Sequence, residues 1–238
     1  MPELLCKICG LIRPEDATLC HSLGADFIGF IFVPASPRFV TPQRAAEAPD
    51  GPALKTGVFA AADLAELREI ARRARLDFIQ LHGGEEPAFC RAVGPERVIK
   101  TLWPEKLTPE ELEREMERFA PVCAYFLFDA GTRGGGSGKS LNTDVLPRAL
   151  LQMGDCAFPI SPNPRHAKPT PVLPPRPWLL AGGLGPENLL SALAVFAPKS
   201  GPSGVDMNSA LEIAPGVKDH ELVRRALALA KGQRPRAH

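Results

Sequence analysis

Short apolar runs recur along the chain, separated by turn residues or by segments whose apolar positions repeat at helical spacing. The runs begin near Leu4, Asp26, Leu54, Leu76, Arg97, Cys123, Trp178 and Pro202, so successive starts lie 22, 28, 22, 21, 26, 55 and 24 residues apart. A spacing in the low twenties accommodates a strand, a short loop, a helix of three turns and a second loop. The intervening segments carry helix signals. Asp63 is placed to cap a helix with Leu64, Leu67, Ile70, Ala71 and Ala74 on one face. Thr108-Pro109-Glu110-Glu111 reads as a capping box with proline at the first helical position, followed by Leu112, Met116 and Phe119. Asp219 opens a last helix that shows Leu222, Val223, Ala226 and Leu229.

Eight strands alternating with helices in 238 residues predict a single (β/α)8 TIM barrel, which typically takes ~250. An open, doubly wound sheet shares this periodicity. The count of eight, and the polar and glycine-rich residues at the C-terminal ends of the runs, favour the barrel. The 55-residue interval is the exception, and it holds a proline-rich tract, 157–177, with eight of the 26 prolines. Successive prolines remove backbone donors and bias the chain toward extended polyproline. The tract therefore reads as an insertion or lid between the sixth helix and the seventh strand of one domain, 1–238. A ligand for a proline-recognition module is the other reading.

Charge and cysteine content narrow the function classes. The 28 Lys+Arg and 27 Asp+Glu leave a formal charge of +1. Nucleic acids and anionic membranes both select a marked basic excess, so neither is an expected partner. The longest apolar run, Phe27 to Val33, has seven residues, far short of the ~18–20 that cross a bilayer. The opening Met-Pro-Glu-Leu-Leu-Cys-Lys lacks the basic start and apolar middle of a secretory signal. Six cysteines in a chain this long read as free thiols rather than a disulfide framework. A cytoplasmic protein is the expectation.

The first strand carries the most pointed chemistry. Cys6 and Cys9 form a Cys-x-x-Cys, with Cys20-His21 soon after, which raises zinc. On a strand, however, positions 6 and 9 point to opposite faces, and no second Cys-x-x-Cys exists; no metal is expected. The same alternation turns Leu4, Cys6 and Ile8 toward the helices and Leu5, Lys7 and Cys9 toward the barrel interior. An ammonium near Cys9 would lower its pKa and enrich the thiolate, a competent base. A buried packing cysteine fits the spacing equally well. Asp129 ends the sixth strand, where an apolar surround would raise a carboxyl toward the range of a general acid, although a helix-capping or loop-pinning aspartate is as common.

Gly134 to Ser140 ends like a nucleotide-binding Gly-Lys-Ser loop, but Arg133 stands where that motif needs its first glycine. It reads as a mobile loop beside Asp129 that closes over substrate. Phosphate is better placed after strands 7 and 8, at Gly182-Gly183 and at Asp206-Met207-Asn208-Ser209, where barrels bind anions through loop amides. Asp206 is read as orienting that loop rather than contacting a dianion. Arg38 follows strand 2, and His82 closes strand 4 on the face of Phe78 and Gln80. By position alone, either a solvated arginine and a satisfied structural histidine or pocket-lining residues would fit.

Lys7-Ile8-Cys9-Gly10-Leu11 followed by Arg13-Pro14-Glu15-Asp16-Ala17 resembles the opening of the phosphoribosylanthranilate isomerase family. The likeness continues through Gly24 to Phe32, Ser36 to Val40, Gln80-Leu81-His82-Gly83, Phe128-Asp129-Ala130 and Gly136-Ser137-Gly138-Lys139. It then runs through Leu180 to Leu184 and Gly204-Val205-Asp206, in the family's order across nearly the whole chain. This resemblance implies a cofactor-free barrel that performs an Amadori rearrangement on a small phosphosugar amine. It assigns Cys9 as the base, Asp129 as the acid and Arg38 as the ligand of the anthranilate carboxylate. It also agrees with phosphate at Gly182, Gly183, Asp206, Asn208 and Ser209. Lys7 and His82 are counted with Arg38 as substrate-binding. Asn208 and Ala210 stand where the family has serine and glycine, which bears on phosphate affinity. A monomer or homodimer is expected. Another phosphosugar isomerase or epimerase, or a non-catalytic anion-binding barrel, are the competing readings; a histidine-pathway isomerase would place a carboxylate where Cys9 stands.

Overall fold

The computed structural model describes residues 4–129, 176–196 and 201–232. Eight strands, β1 (Leu5–Ile8), β2 (Phe27–Ile31), β3 (Leu54–Phe59), β4 (Phe78–Leu81), β5 (Val98–Leu102), β6 (Tyr125–Asp129), β7 (Trp178–Ala181) and β8 (Gly204–Met207), close into one barrel. Every neighbouring pair is parallel, and β8 returns to β1 with Lys7 opposite Asp206. The observed strands begin within two residues of the starts expected from the apolar runs. Parallel strands need crossovers, and helices α1 (Pro14–Ser22), α2 (Pro42–Ala46), α3 (Leu64–Arg73), α4 (Pro87–Val93), α5 (Pro109–Phe119), α6 (Leu189–Ala194) and α7 (His220–Ala230) supply them. The expected sixth helix, the glycine-rich loop and the proline tract up to residue 175 lie outside the described residues.

The capping signals work as written. Asp63 accepts from the amides of Ala65 and Glu66, Asp219 from those of Glu221 and Leu222, and Thr108 and Glu111 exchange both bonds of a capping box. Each such cap contributes on the order of 1 kcal/mol. The end of the proline tract is anchored: the buried Arg176 donates from Nε to the Ala120 carbonyl at 2.6 Å, and the Pro177 carbonyl accepts from Phe126 at 3.1 Å.

Strand alternation sorts side chains into two cores. The outward set, with Cys6, Ile8, Ile28, Ile79, Phe126, Leu180 and Val205, packs under the helices. The inward set fills the lower barrel with Leu5, Phe27, Leu54, Phe78, Ile99, Tyr125, Leu127 and Leu179. Phe27, Phe78 and Tyr125 meet edge-on with centroids 5.4–5.9 Å apart, the offset that aromatic quadrupoles favour. Above this floor the interior turns polar, with Lys7, Thr56, Gln80, Thr101 and Asp206. The sequence reading did not foresee a two-stranded antiparallel hairpin between β8 and α7, β9 (Glu212–Ala214) and β10 (Val217–Lys218), turned at Gly216 with φ 81°. Among the described residues, no helix is long and apolar enough to cross a membrane.

Candidate active site

The C-terminal ends of the strands converge on one polar mouth. Cys9 follows β1, and its amide donates to the Met207 carbonyl of β8 at 2.9 Å, which ties the residue to the barrel seam. The Sγ atom lies so close to β2 that a β-carbon on Gly29 would sit 2.6 Å from it and 3.1 Å from Lys7 Nζ. Gly29 therefore makes the space that thiol and ammonium share. Lys7 is fully buried, and its Nζ donates to Asp206 Oδ1 at 3.0 Å. Burial works against the ammonium, but Asp206 and Cys9 outweigh it and hold the Lys7 pKa above its ordinary value.

The effect of Lys7 on Cys9 has the expected sign but does not set the net direction. Lys7 does favour the thiolate, but burial is the larger influence and moves the thiol pKa up rather than down. The free site thus rests as a thiol with an ammonium poised to stabilise its conjugate base. Asp206 also differs in place from the sequence expectation: its carboxylate points into the barrel and pairs with Lys7.

Across the mouth, Asp129 ends β6 with its side chain buried. His82 Nε2 lies 3.7 Å from Asp129 Oδ2, beyond direct hydrogen-bond length. Burial drives the His82 pKa down to about 4, so the ring is neutral near pH 7. Its Nδ1 sits 3.3 Å from Gln80 Nε2 and 3.2 Å from Thr101 Oγ1. With the Gln80 amide donating to Nδ1, the ring proton belongs on Nε2, facing Asp129. Trp103, just after β5, packs edge-to-face on the imidazole at 5.2 Å and is itself covered by Lys106.

Arg38 is held by a carboxylate of the chain itself. Its Nε donates to Glu212 Oε1 at 2.9 Å and its Nη2 to Oε2 at 2.7 Å, a fork on one carboxylate. Glu212 also accepts from Lys218 Nζ at 2.9 Å, and Lys218 donates on to Asn208 Oδ1 at 2.9 Å. Burial would raise the Glu212 pKa, but the bonds and charges of Arg38 and Lys218 hold it below the ordinary value. Neither Glu212 nor Lys218 stood out in the sequence.

Gly182 and Gly183 follow β7 at φ 106° and 61°, backbone that side chains rarely adopt. Asn188 braces this turn, accepting from Gly185 N at 2.9 Å and donating to Gly183 O at 3.0 Å. Ala210 meets the same turn: a β-carbon on Gly185 would stand 2.8 Å from that of Ala210. The loops after β7 and β8 thereby meet at Gly185 and Ala210. Asn208 uses its side-chain oxygen on Lys218. Among the described residues, no group of three His, Cys, Asp or Glu side chains is placed to hold a metal.

A family model described as N-(5'phosphoribosyl)anthranilate (PRA) isomerase matches residues 6–228. The chain belongs to the phosphoribosylanthranilate isomerase family. An N-(5'-phosphoribosyl)anthranilate isomerase of Maridesulfovibrio salexigens is 42% identical over 227 residues, covering 95% of this chain and 98% of the relative. The crystal structure of the phosphoribosyl anthranilate isomerase from Thermus thermophilus superposes with a TM-score of 0.73 at 31% identity, over 94% of this chain and 97% of that one. A phosphoribosyl anthranilate isomerase in complex with reduced 1-(o-carboxyphenylamino)-1-deoxyribulose 5-phosphate gives 0.71 at 28% identity, over 96% and 99%.

For a phosphoribosylanthranilate isomerase family member, the barrel gathers Cys9, Lys7 and Asp206 at the β1–β8 seam. It places Asp129 and His82 across the mouth and the glycine turn between those two groups in strand order. Arg38 stands after β2, on the Cys9 side. The residues missed, Glu212 and Lys218, are ordinary charges in a short segment. The only hint was that both fall just after strand 8, where site loops lie.

Proposed function

We propose that this chain converts N-(5-phosphoribosyl)anthranilate to 1-(2-carboxyphenylamino)-1-deoxyribulose 5-phosphate by general acid–base catalysis. Asp129 protonates the furanose ring oxygen, the ring opens, and C1 becomes an iminium. The Cys9 thiolate then takes the C2 proton, whose electron pair neutralises the iminium nitrogen and leaves an enaminol. Tautomerisation adds a proton at C1 and removes one from the C2 hydroxyl, so the product is an isomer of the substrate. The working enzyme carries a proton on Asp129 and none on Cys9.

One observation carries this reading: a buried thiol next to a buried ammonium, and a buried carboxyl next to a neutral imidazole, at the same end of one barrel. Lys7 offsets the cost of forming a thiolate away from water. Arg38 suits a planar carboxylate. The glycine turn after β7 and the Asn208–Ser209 segment suit a phosphate through backbone amides. Because Asn208 Oδ1 already accepts from Lys218, it has a donor NH2 rather than an oxygen to offer a phosphate. A catalytic thiol needs a reducing compartment, which supports a cytoplasmic setting.

The test is turnover of freshly generated phosphoribosylanthranilate, followed as loss of its anthranilate fluorescence. Saturable loss with enzyme is the expected result; a signal no faster than the uncatalysed decay overturns the proposal.

A further inference from the structure

The hairpin β9–β10 carries none of the residues expected to meet substrate, yet it reaches into the site from beyond β8. Glu212 sits at its start and Lys218 at its end, and both side chains are almost wholly buried, as is that of Arg38. Glu212 makes five recorded bonds: three from Arg38, one from Lys218 Nζ and one from the Gly216 amide at 3.1 Å. Lys218 Nζ in turn holds the backbone and side-chain oxygens of Asn208 at 3.1 and 2.9 Å. Gly10, next to Cys9, is where the two arms meet: a β-carbon there would lie 2.5 Å from Asn208 Oδ1 and 2.8 Å from Arg38 Cδ.

Two consequences follow from this arrangement. Arg38 uses its Nε–Nη2 edge on Glu212, so Nη1 is left without a partner among the described residues and the Nη1 side of the fork remains for a ligand. Arg38 and Lys218 share one carboxylate, that of Glu212, which works against the lowering of the Lys218 pKa by burial; a second carboxylate, from the ligand, would complete the pairing. A free arginine would have to lose its rotamer freedom on binding; one already clamped does not.

We infer that Glu212, itself held by Lys218, is a positioning residue that fixes the Arg38 guanidinium so that its remaining edge receives the substrate's aryl carboxylate. The inference rests on Arg38 as the carboxylate ligand. It assigns to the hairpin a part in substrate selection: recognition of an aminobenzoate over an uncharged arylamine.

The experiment compares two glycosylamines of ribose 5-phosphate, one formed from anthranilate and one from aniline, with product followed by chromatography. Glu212→Gln keeps the size of the side chain but turns a donor toward Arg38. It is expected to raise KM for the anthranilate compound about tenfold, the loss of one charge-assisted bond, with kcat changed less than twofold. KM for the aniline compound should not move. Glu212→Asp, which keeps the charge one methylene short, should fall between wild type and Glu212→Gln, and it serves as the measured variant if Glu212→Gln does not fold. Unchanged KM for the anthranilate compound, or equal losses on both compounds, overturns the positioning role. If the wild-type enzyme treats the two compounds alike, the carboxylate reading of Arg38 falls, and this inference falls with it.

Discussion

The two sides of the barrel mouth solve the same problem by opposite means. On the β8–β1–β2 side the buried charges are paired: Lys7 with Asp206, and Arg38 and Lys218 with Glu212. On the β4–β5 side the groups packed on the His82 ring, which faces Asp129, are neutral: an amide, a hydroxyl and an indole. The proposed base, Cys9, lies against the Lys7 ammonium. The proposed acid, Asp129, faces an imidazole that burial keeps neutral. In the proposed mechanism, then, the two opposed proton-transfer groups are tuned by what stands next to each.

The widest test removes the groups themselves. Asp129→Asn and Cys9→Ala are each expected to lower kcat by about a thousandfold, within the range of general acid–base contributions, with fold and substrate binding retained. Wild-type turnover in either variant strikes that residue from its role. A large loss in one variant alone would show that only one side of the mouth does the proton work.

Lys7→Met then tests the charged side. It leaves Asp206 buried without its partner and should cost about 3 kcal/mol or more in denaturant unfolding. It should also shift the pH profile. In the proposed mechanism the thiolate is the working form, so kcat/KM should rise with pH as Cys9 ionises; Lys7 draws that ionisation to lower pH against burial. Without Lys7 the rise moves to higher pH. If stability and profile both stay put, charge pairing is not what organises this side.

His82 tests the neutral side. Its pKa is about 4 when folded against 6.5 ordinarily, so the unfolded chain takes up the proton first. Stability is therefore full above pH 6.5 and declines as pH falls toward 4, by up to ~3 kcal/mol. His82→Asn should remove that part of the slope between pH 6.5 and 4. Identical slopes in the two proteins would mean the imidazole is not held neutral. The smallest effect is expected from Gly29→Ala, whose methyl must push Cys9 Sγ or Lys7 Nζ aside. About 2 kcal/mol of destabilisation is expected, from thermal unfolding. An indifferent Gly29→Ala would show the charged side to be looser than its distances imply.

Strand positions were legible because a parallel barrel strand is buried on both faces, so each writes a short apolar run between turn residues. The inward turn of Lys7 and Cys9 was legible because alternation has no freedom once a strand is placed. The hairpin was not, since strands of three and two residues are too short to show a period. Glu212 and Lys218 look like surface charges until barrel closure brings Glu212 to Arg38, 174 residues away. The direction of the Cys9 shift was also out of reach. Sequence names the neighbouring cation but does not measure how much water is lost, and here burial is the stronger influence. Asp206 was grouped with a phosphate loop for its position in the chain, whereas the β1–β8 register sets it opposite Lys7.

The aromatic floor of Phe27, Phe78 and Tyr125 has a consequence for traffic. Packed side chains stop the lower half of the barrel, so the site is a cup and not a tube. Substrate arrives and product departs by one rim, and the two journeys exclude each other. A proton taken at the level of Cys9 has no exit below; it returns to the reacting molecule or leaves past it. Whatever covers that rim therefore governs entry, exit and contact with water together, while the sealed base is free to change without touching the chemistry above.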